Sequence, residues 1–493
     1  MPRPFYMLCC VVKCYIPVYY KRMKPPYDHT NPESIEQYAK LLVGKTLRQV
    51  VPENDLKEYL NNSRNKGEFG VMVEKLYFGI TPGSFQGPDF HQAGVELKTN
   101  PLKKNQRNPR VGIYSAKERL SLTMIDFNAL YDVNLKEESK FYGKNGLILL
   151  LSFVEGDSKE VEDRVFKFAK LIRFDDFRED YKGEICNDWK LIVDKVNSGK
   201  GPELSEADTM FLAACRKGNK GDTIPRRAFA YKQTFMNVIY DLYLNNIEPT
   251  PPIVKNIKAI GEKGFQVLFK DIFSPYFSLD EEVICDKLNR NFPAGSKSRL
   301  YWITKSIAGA DIDENPQLEY RNIKAKTLRL DWDGEALESW SFPHFTYMGE
   351  GNITKEIWHA DDEDEAYPEI KRLLTETQFA IPIWRQKEGL GRKGKLLGLE
   401  RYWLEDIVFW RMPEHDIEKY VRPVWERTKW VIKNGEVNSE GFFEFTDSTF
   451  NSVCHIRPHG RNNKDLLPTL KNGNQRKNCF WLDKKYLMQQ ILP

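Results

Sequence analysis

The 493-residue chain lacks most of the features that quickly place a sequence in a class. Its eight cysteines (Cys9, Cys10, Cys14, Cys186, Cys215, Cys285, Cys454 and Cys479) include no Cys-x-x-Cys pair and no Cys/His spacing of a zinc module. They read as reduced thiols of a cytoplasmic protein, not as a disulfide framework. The seven histidines form no metal constellation either. Charge of one sign is not in excess: the formal net charge of +4 is too small to point to a nucleic-acid partner, so local clustering is the useful quantity. The most apolar stretch, 5–20 (FYMLCCVVKCYIPVYY), is interrupted by Lys13 and Pro17 and falls short of the roughly 20 residues of a membrane span. No membrane partner is expected. Residues 1–30 read as an N-terminal extension, with 1–22 dispensable and Met23 as the expected translation start. With 41% hydrophobic and 29% charged residues, the chain is long enough for two or three cores.

What is present centres on 88–101, PDFHQAGVELKTNP. Apolar Val95 and Leu97 alternate with Glu96 and Lys98, and a period of two puts the charged pair on one face of a strand. Asp89, just past the Gly87-Pro88 turn signal, can fold back beside that strand. Two hard oxygen ligands and a cation then share a pocket. Asp89 and Glu96, with the Leu97 carbonyl, can hold Mg²⁺, which prefers oxygen and keeps some of its waters. Lys98 can orient a water or stabilise charge on phosphorus oxygens, which is the equipment of phosphodiester hydrolysis. Glu-x-Lys alone is common: Glu138 with Lys140 and Glu369 with Lys371 share the spacing without the context, and the plain alternative is a surface ion pair.

Three other stretches frame this one. The run 147–154, LILLLSFV, has no polar alternation and is expected to be a strand buried on both faces. Around residue 211, FLAACRKGNKGDTIPRRAFAYK places Arg216, Lys217, Lys220, Arg226, Arg227 and Lys232 among glycines, a pattern suited to phosphate contact. Residues 245–255, NNIEPTPPIVK, carry three prolines and little periodicity and read as a linker between a domain at 31–244 and another at 256–493. Further on, His359 lies beside Asp361, Asp362, Glu363, Asp364 and Glu365, which reads as a solvated acidic loop and not as a metal site.

The run 66–101 resembles the active-site half of the MutH-type nucleases, the family that includes GATC-cutting restriction endonucleases of the Sau-three-A type. The resemblance implies a restriction-endonuclease-like α/β fold with a mixed sheet flanked by helices. It also implies that Glu74, on a helix before the Asp, Glu and Lys triad, supports the site and could join the metal ligands. The match 144–157, KNGLILLLSFVEGD, adds Lys144. The family arginine that reads a base after a short strand falls on Arg216; an arginine bidentate to guanine is the commonest specific base contact.

Beyond the linker the order recurs. In 322–330, NIKAKTLRL lies over 94–102, so that Lys324 replaces Glu96, Lys326 keeps the place of Lys98, Gln317 stands for Asp89 and Thr304 for Glu74. A metal site cannot be built from lysines. The tail, 451–465 with 479–492, resembles the family's DNA-reading end, with Arg457 and Pro458 at the base-reading position, Trp481 at the aromatic one and Lys484 just beyond. The expectation is two tandem MutH-like domains, the first catalytic and the second keeping only a DNA-binding or effector surface. The resemblance implies Mg²⁺-dependent cleavage of double-stranded DNA 5′ of GATC and a prokaryotic restriction role with a cognate methyltransferase. Transient pairing of two chains on DNA would let single active sites cut both strands. The alternatives are a strand-nicking repair enzyme or a GATC-binding protein that does not cut.

Overall fold

A computed structural model describes residues 26–492, apart from 63–67, 82–86, 106–111, 157–159, 218–225, 248–251, 294–295, 297, 350, 361–365, 388–400 and 463. The expected extension at 1–22, Lys220 and the acidic run 361–365 therefore lie outside the described residues.

The first half begins with α1 (Pro32–Lys40), whose N-cap Asn31 side chain accepts from the Ser34 N–H. Two further short helices, Leu47–Val50 and Glu53–Asn62, follow it. Gly44, at φ 84°, leaves the helical path and donates its N–H to the Phe166 carbonyl at 2.8 Å, which breaks the run. Next, α2 (Glu68–Met72) continues as a π-helical turn, Val73–Phe78, closed by left-handed Gly79. Strands β1 (Glu96–Lys104), β2 (Tyr114–Ala116) and β3 (Leu120–Ile125) lead to α3 (Lys140–Asn145), β4 (Leu147–Val154) and β5 (Val165–Arg173). The sheet order is β2-β1-β4-β5, with β1 parallel to β4 and the other pairs antiparallel. Then come α4 (Glu179–Asn197), β6 (Leu212–Lys217), β7 (Arg226–Tyr231) and α5 (Gln233–Tyr243), with β3-β7-β6 as a second, antiparallel sheet.

The run at 147–154 forms β4 as expected. Leu149, Leu151 and Phe153 enter the core under α1 and α2, while Ile148 and Leu150 enter the core under α4 and α5. Burial on both faces explains why the strand is apolar throughout. Each such leucine contributes roughly 1.5–3 kcal/mol, so the edge that carries Glu96 is anchored by the most apolar strand of the half.

The second half follows the same order. It comprises α6 (Arg299–Ala308), β8 (Ile323–Ala325), β9 (Leu328–Leu330), β10 (Trp340–His344), β11 (Gln378–Gln386) and β12 (Tyr402–Trp410). These precede α7 (Arg422–Asn434), β13 (Cys454–Pro458), the hairpin β14 (Leu466–Pro468) and β15 (Asn474–Arg476), β16 (Asn478–Leu482) and α8 (Lys484–Ile491). Strands β8 and β9 together take the place of β1, each parallel to β11, and β11 pairs antiparallel with β12; β10-β16-β13 mirrors β3-β7-β6. Left-handed residues recur at matching places: Gly79 and Gly309 each stand five residues after Glu74 and Thr304, and Gly94 and Asn322 each two residues before Glu96 and Lys324. Repeated backbone requirements of this kind are independent of the side chains that changed.

Apolar side chains are packed at both of the expected boundaries. Tyr27 already belongs to the first core, stacked on Tyr38 at 4.7 Å. Ile253 and Val254, expected within a linker, are buried in the second half's core, and Gln317 bonds both the N–H and the carbonyl of Val254. Proline-rich composition hid a pair of apolar anchors. The halves pack closely where Gly183 of α4 meets Gly261: a Cβ on Gly183 would lie 2.3 Å from the Gly261 Cα.

Candidate active site

Asp89 and Glu96 are brought together by a tight reversal. Phe90 and Val95 form an antiparallel bridge, Gly94 takes φ 67° to close it, and Asp89 is left directly beside the first residues of β1. An Asp89 carboxylate oxygen accepts from the Leu97 N–H at 2.9 Å, and the Asp89 N–H donates to Glu96 Oε2 at 3.3 Å. Glu96 is only 2% exposed. Its Oε1 accepts from Lys98 Nζ at 2.7 Å and lies 3.5 Å from Lys144 Nζ. Lys144 comes from α3, just ahead of β4, so the parallel pairing of β1 with β4 is what delivers the second cation.

The charges within this group act on each other. Burial, followed by the negative charge of Glu96, raises the Asp89 carboxyl above its usual range despite the Leu97 N–H and the two lysines. Glu74, in the π-helical turn, is pushed up to about 7, chiefly by burial and then by Asp89. It feels Lys98, Glu96 and Lys144 as well, which places it at the same pocket. π-Helical turns are frequent at functional sites because they re-aim one side chain.

Among the described residues no cluster of three or more His, Cys, Asp or Glu side chains is poised to hold a metal ion. Asp89 and Glu96 offer two carboxylates side by side, with Glu74 close enough to feel both. A hard divalent cation that keeps part of its water shell suits such a donor set.

The matching positions of the second half are closed. Thr304 bonds back to the Leu300 carbonyl within its own helix. Gln317 is spent on Val254, and Lys324 is exposed. Lys326 donates to the Ser341 carbonyl at 2.7 Å and lies over the Trp340 and Phe342 rings, and burial lowers its pKa to about 8.

The expected DNA contacts are dispersed. Arg216 is exposed near the end of β6, opposite Arg227, and its N–H donates to Glu206 at 3.3 Å. The other Glu206 oxygen accepts from Arg119 at 2.6 Å, so Glu206 ties the segment after β2 to the strand carrying Arg216. Sequence reasoning passed over Glu206, because a lone acid between basic runs carries no signal. Lys217 ends β6, half-buried. Lys232 is turned inward: its ammonium donates to the Thr209 carbonyl, and burial together with Arg411 lowers its pKa to about 8. That bond ties the N-cap residue of α5 to the segment ahead of β6.

Arg457 is exposed on β13, its guanidinium 5.7 Å from the Trp481 ring centre, with Pro458 exposed beside it. Trp481 is half-buried and meets His459 edge-on at 5.6 Å. Lys484 opens α8, its N–H on Ser339 Oγ. The two hairpins differ in register. Counted back from the helix N-caps Lys232 and Asp483, Ala230 and Trp481 are equivalent. Arg216 nevertheless faces Arg227, while Arg457 faces Cys479, one rung nearer the helix.

Residues 78–183 match the family model of the DNA mismatch repair enzyme MutH, a span that contains Asp89, Glu96, Lys98 and Lys144. The MutH proteins of Photorhabdus laumondii (32% identical over 80 residues) and Shewanella baltica (35% over 86 residues) match 16% and 17% of this chain. The chain spans 35% and 37% of those two proteins. With its triad on a mixed, helix-flanked sheet, the first half is similar to the MutH family of nucleases, which are DNA hydrolases. The chain is also similar to the type II restriction enzyme Sau3AI of Staphylococcus aureus, 28% identical over 93% of this chain and 98% of that protein. It is a Sau3AI-like nuclease.

Proposed function

We propose that this nuclease is a type II restriction endonuclease that hydrolyses double-stranded DNA 5′ of G in GATC, using Mg²⁺ in the first half. One observation carries the reading. Asp89, Glu96, Lys98 and Lys144 converge within hydrogen-bonding and ion-pair distance in one half, while the same backbone in the other half holds Gln317, Lys324 and Lys326. Asp89, Glu96 and the Leu97 carbonyl would hold the ion, with Glu74 as a further ligand. Bound there, Mg²⁺ supplies positive charge to the phosphorus oxygens and lowers the pKa of a water.

The chain's own groups account for the remainder. Lys98, kept beside Glu96, can orient the attacking water and donate to a non-bridging oxygen, and Lys144 adds a second cation on the same carboxylate. The buried Glu96 fixes both lysines and excludes solvent from their acid side. The products would be 5′-phosphate and 3′-hydroxyl ends.

On this reading the chain divides into a catalytic domain and a related one, residues 256–493, that binds a second GATC through Arg457, Pro458 and Trp481. Binding there would favour transient pairing of two chains, an effector site in the sense of coupled binding. The setting would be the prokaryotic cytoplasm, beside a methyltransferase that protects host DNA. Purified protein on unmethylated DNA of known sequence, followed by end mapping, tests the reading. Prompt double-strand breaks 5′ of GATC support it; slow single-strand nicks would instead favour a repair enzyme.

A further inference from the structure

Helix α4 of the first half carries Asp180, Glu184 and Asp188 at a four-residue spacing, and all three are buried. Such a stripe on one helical face needs partners. Asp180 is bound by Arg178 through both oxygens, at 2.7 and 2.6 Å. Asp188 accepts from the N–H groups of Met210, Phe211 and Leu212 at 2.7, 2.6 and 2.9 Å, which fixes the start of β6. Glu184, between them, is answered from the other half of the chain. Arg321 Nε donates to it at 3.0 Å, and Nη2 lies 2.6 Å from its second oxygen and 3.6 Å from Asp180.

Arg321 is fully enclosed. Its guanidinium sits 5.2 Å from the ring centre of Phe211, the residue before β6, and 4.6 Å from that of Phe265 of the second half. Its Nη1 donates to the Gln317 carbonyl. Gln317, Arg321 and Lys324 occupy the turn that in the first half runs from Asp89 to Glu96. The turn that lost its acids has become a plug in the neighbouring half. Burial outweighs the guanidinium and lifts the Glu184 carboxyl to about 7. A buried ion pair of this kind is a poor device for stability alone, and its distinctive property is direction.

We propose that Arg321 is a positioning residue: by clamping Glu184 and Phe211 it sets β6, and with it Arg216, in the orientation that reads DNA. The second half is then a working part of recognition by the first. This rests on the GATC reading above. Replacing the pair by apolar groups, Arg321→Met with Glu184→Leu, removes the fork without stranding a charge and keeps the chain folded. Two measurements decide. Amide exchange at 212–217 in the DNA-free protein should quicken by about tenfold relative to β1. Preference for a GATC duplex over a scrambled one, measured in Ca²⁺, should fall by about tenfold, the order of one bidentate base contact.

Unchanged exchange, or faster exchange with unchanged preference, overturns the proposal. Should the double variant fail to fold, Arg321→Lys keeps the charge and loses fork and stacking. It should move both readouts in the same direction, and wild-type behaviour from lysine would overturn the proposal too. If the unaltered protein shows no GATC preference, the functional reading fails, and exchange alone still decides whether Arg321 holds the strand.

Discussion

Replacing Glu96 by glutamine is the sharpest perturbation of the candidate site, because it removes one charge and keeps the shape. In the structure that charge meets Lys98 at 2.7 Å and Lys144 at 3.5 Å, and it would lie on the proposed ion. One unit charge about 4 Å from another is worth roughly 4 kcal/mol at an effective dielectric constant near 20. At 1.36 kcal/mol per decade, this corresponds to about a thousandfold in rate. The fold should tolerate the change, since the amide still accepts from Lys98 and a buried carboxylate no longer needs desolvating. Asp89 and Glu74, relieved of a neighbouring negative charge, should both titrate lower than in the unaltered protein. The assay is single-turnover cleavage of a GATC duplex in Mg²⁺, paired with binding of the same duplex in Ca²⁺. Cleavage within tenfold of the unaltered enzyme would refute the assignment of Glu96, and loss of binding as complete as the loss of cutting would refute the separation of chemistry from recognition.

Other outcomes follow from the same geometry. Asp89→Ala should abolish cutting and leave Ca²⁺-supported binding intact, whereas Lys324→Ala should leave the rate within a few-fold; equal loss from both would misplace the active half. Arg457→Ala should weaken binding by the second half and reduce the rate advantage of plasmids with several sites over those with one, read as cuts per site. Lys326, whose folded pKa of about 8 lies below the ordinary lysine value, binds fewer protons folded than unfolded between about pH 8 and 10.5. The stability of the unaltered protein relative to Lys326→Met should therefore rise across that window, as melting temperatures at pH 7 and 10 would show.

Much of the site was legible because it is local. Asp89, Gly94, Glu96 and Lys98 lie within one reversal, and alternation plus a turn signal is enough to bring them together. Strand β4 was legible because burial on two faces removes all polar alternation. What escaped was settled by distant partners. Glu206 and Arg321 act through residues far along the chain, and single acids or arginines have no pattern. Lys232 looked like part of a basic cluster, yet the carbonyl of Thr209 draws it inward. The π-helical turn at Glu74 and the one-rung difference between the hairpins are changes of backbone register, which composition does not record. Ile253 and Val254 were hidden by three neighbouring prolines.

The ion pair across the halves also has a consequence for how the molecule is made. Residues 31–244 leave the ribosome with Glu184 already on its helix but with no cation to meet it, since Arg321 is still to be synthesised. At common elongation rates the wait is on the order of ten seconds. During that interval the sheet bearing Asp89 and Glu96 can close, while the segment around Phe211 has an unfinished neighbour. On the proposal above, the nascent first half would bring Asp89 and Glu96 together before Arg321 arrives to set the strand that carries Arg216.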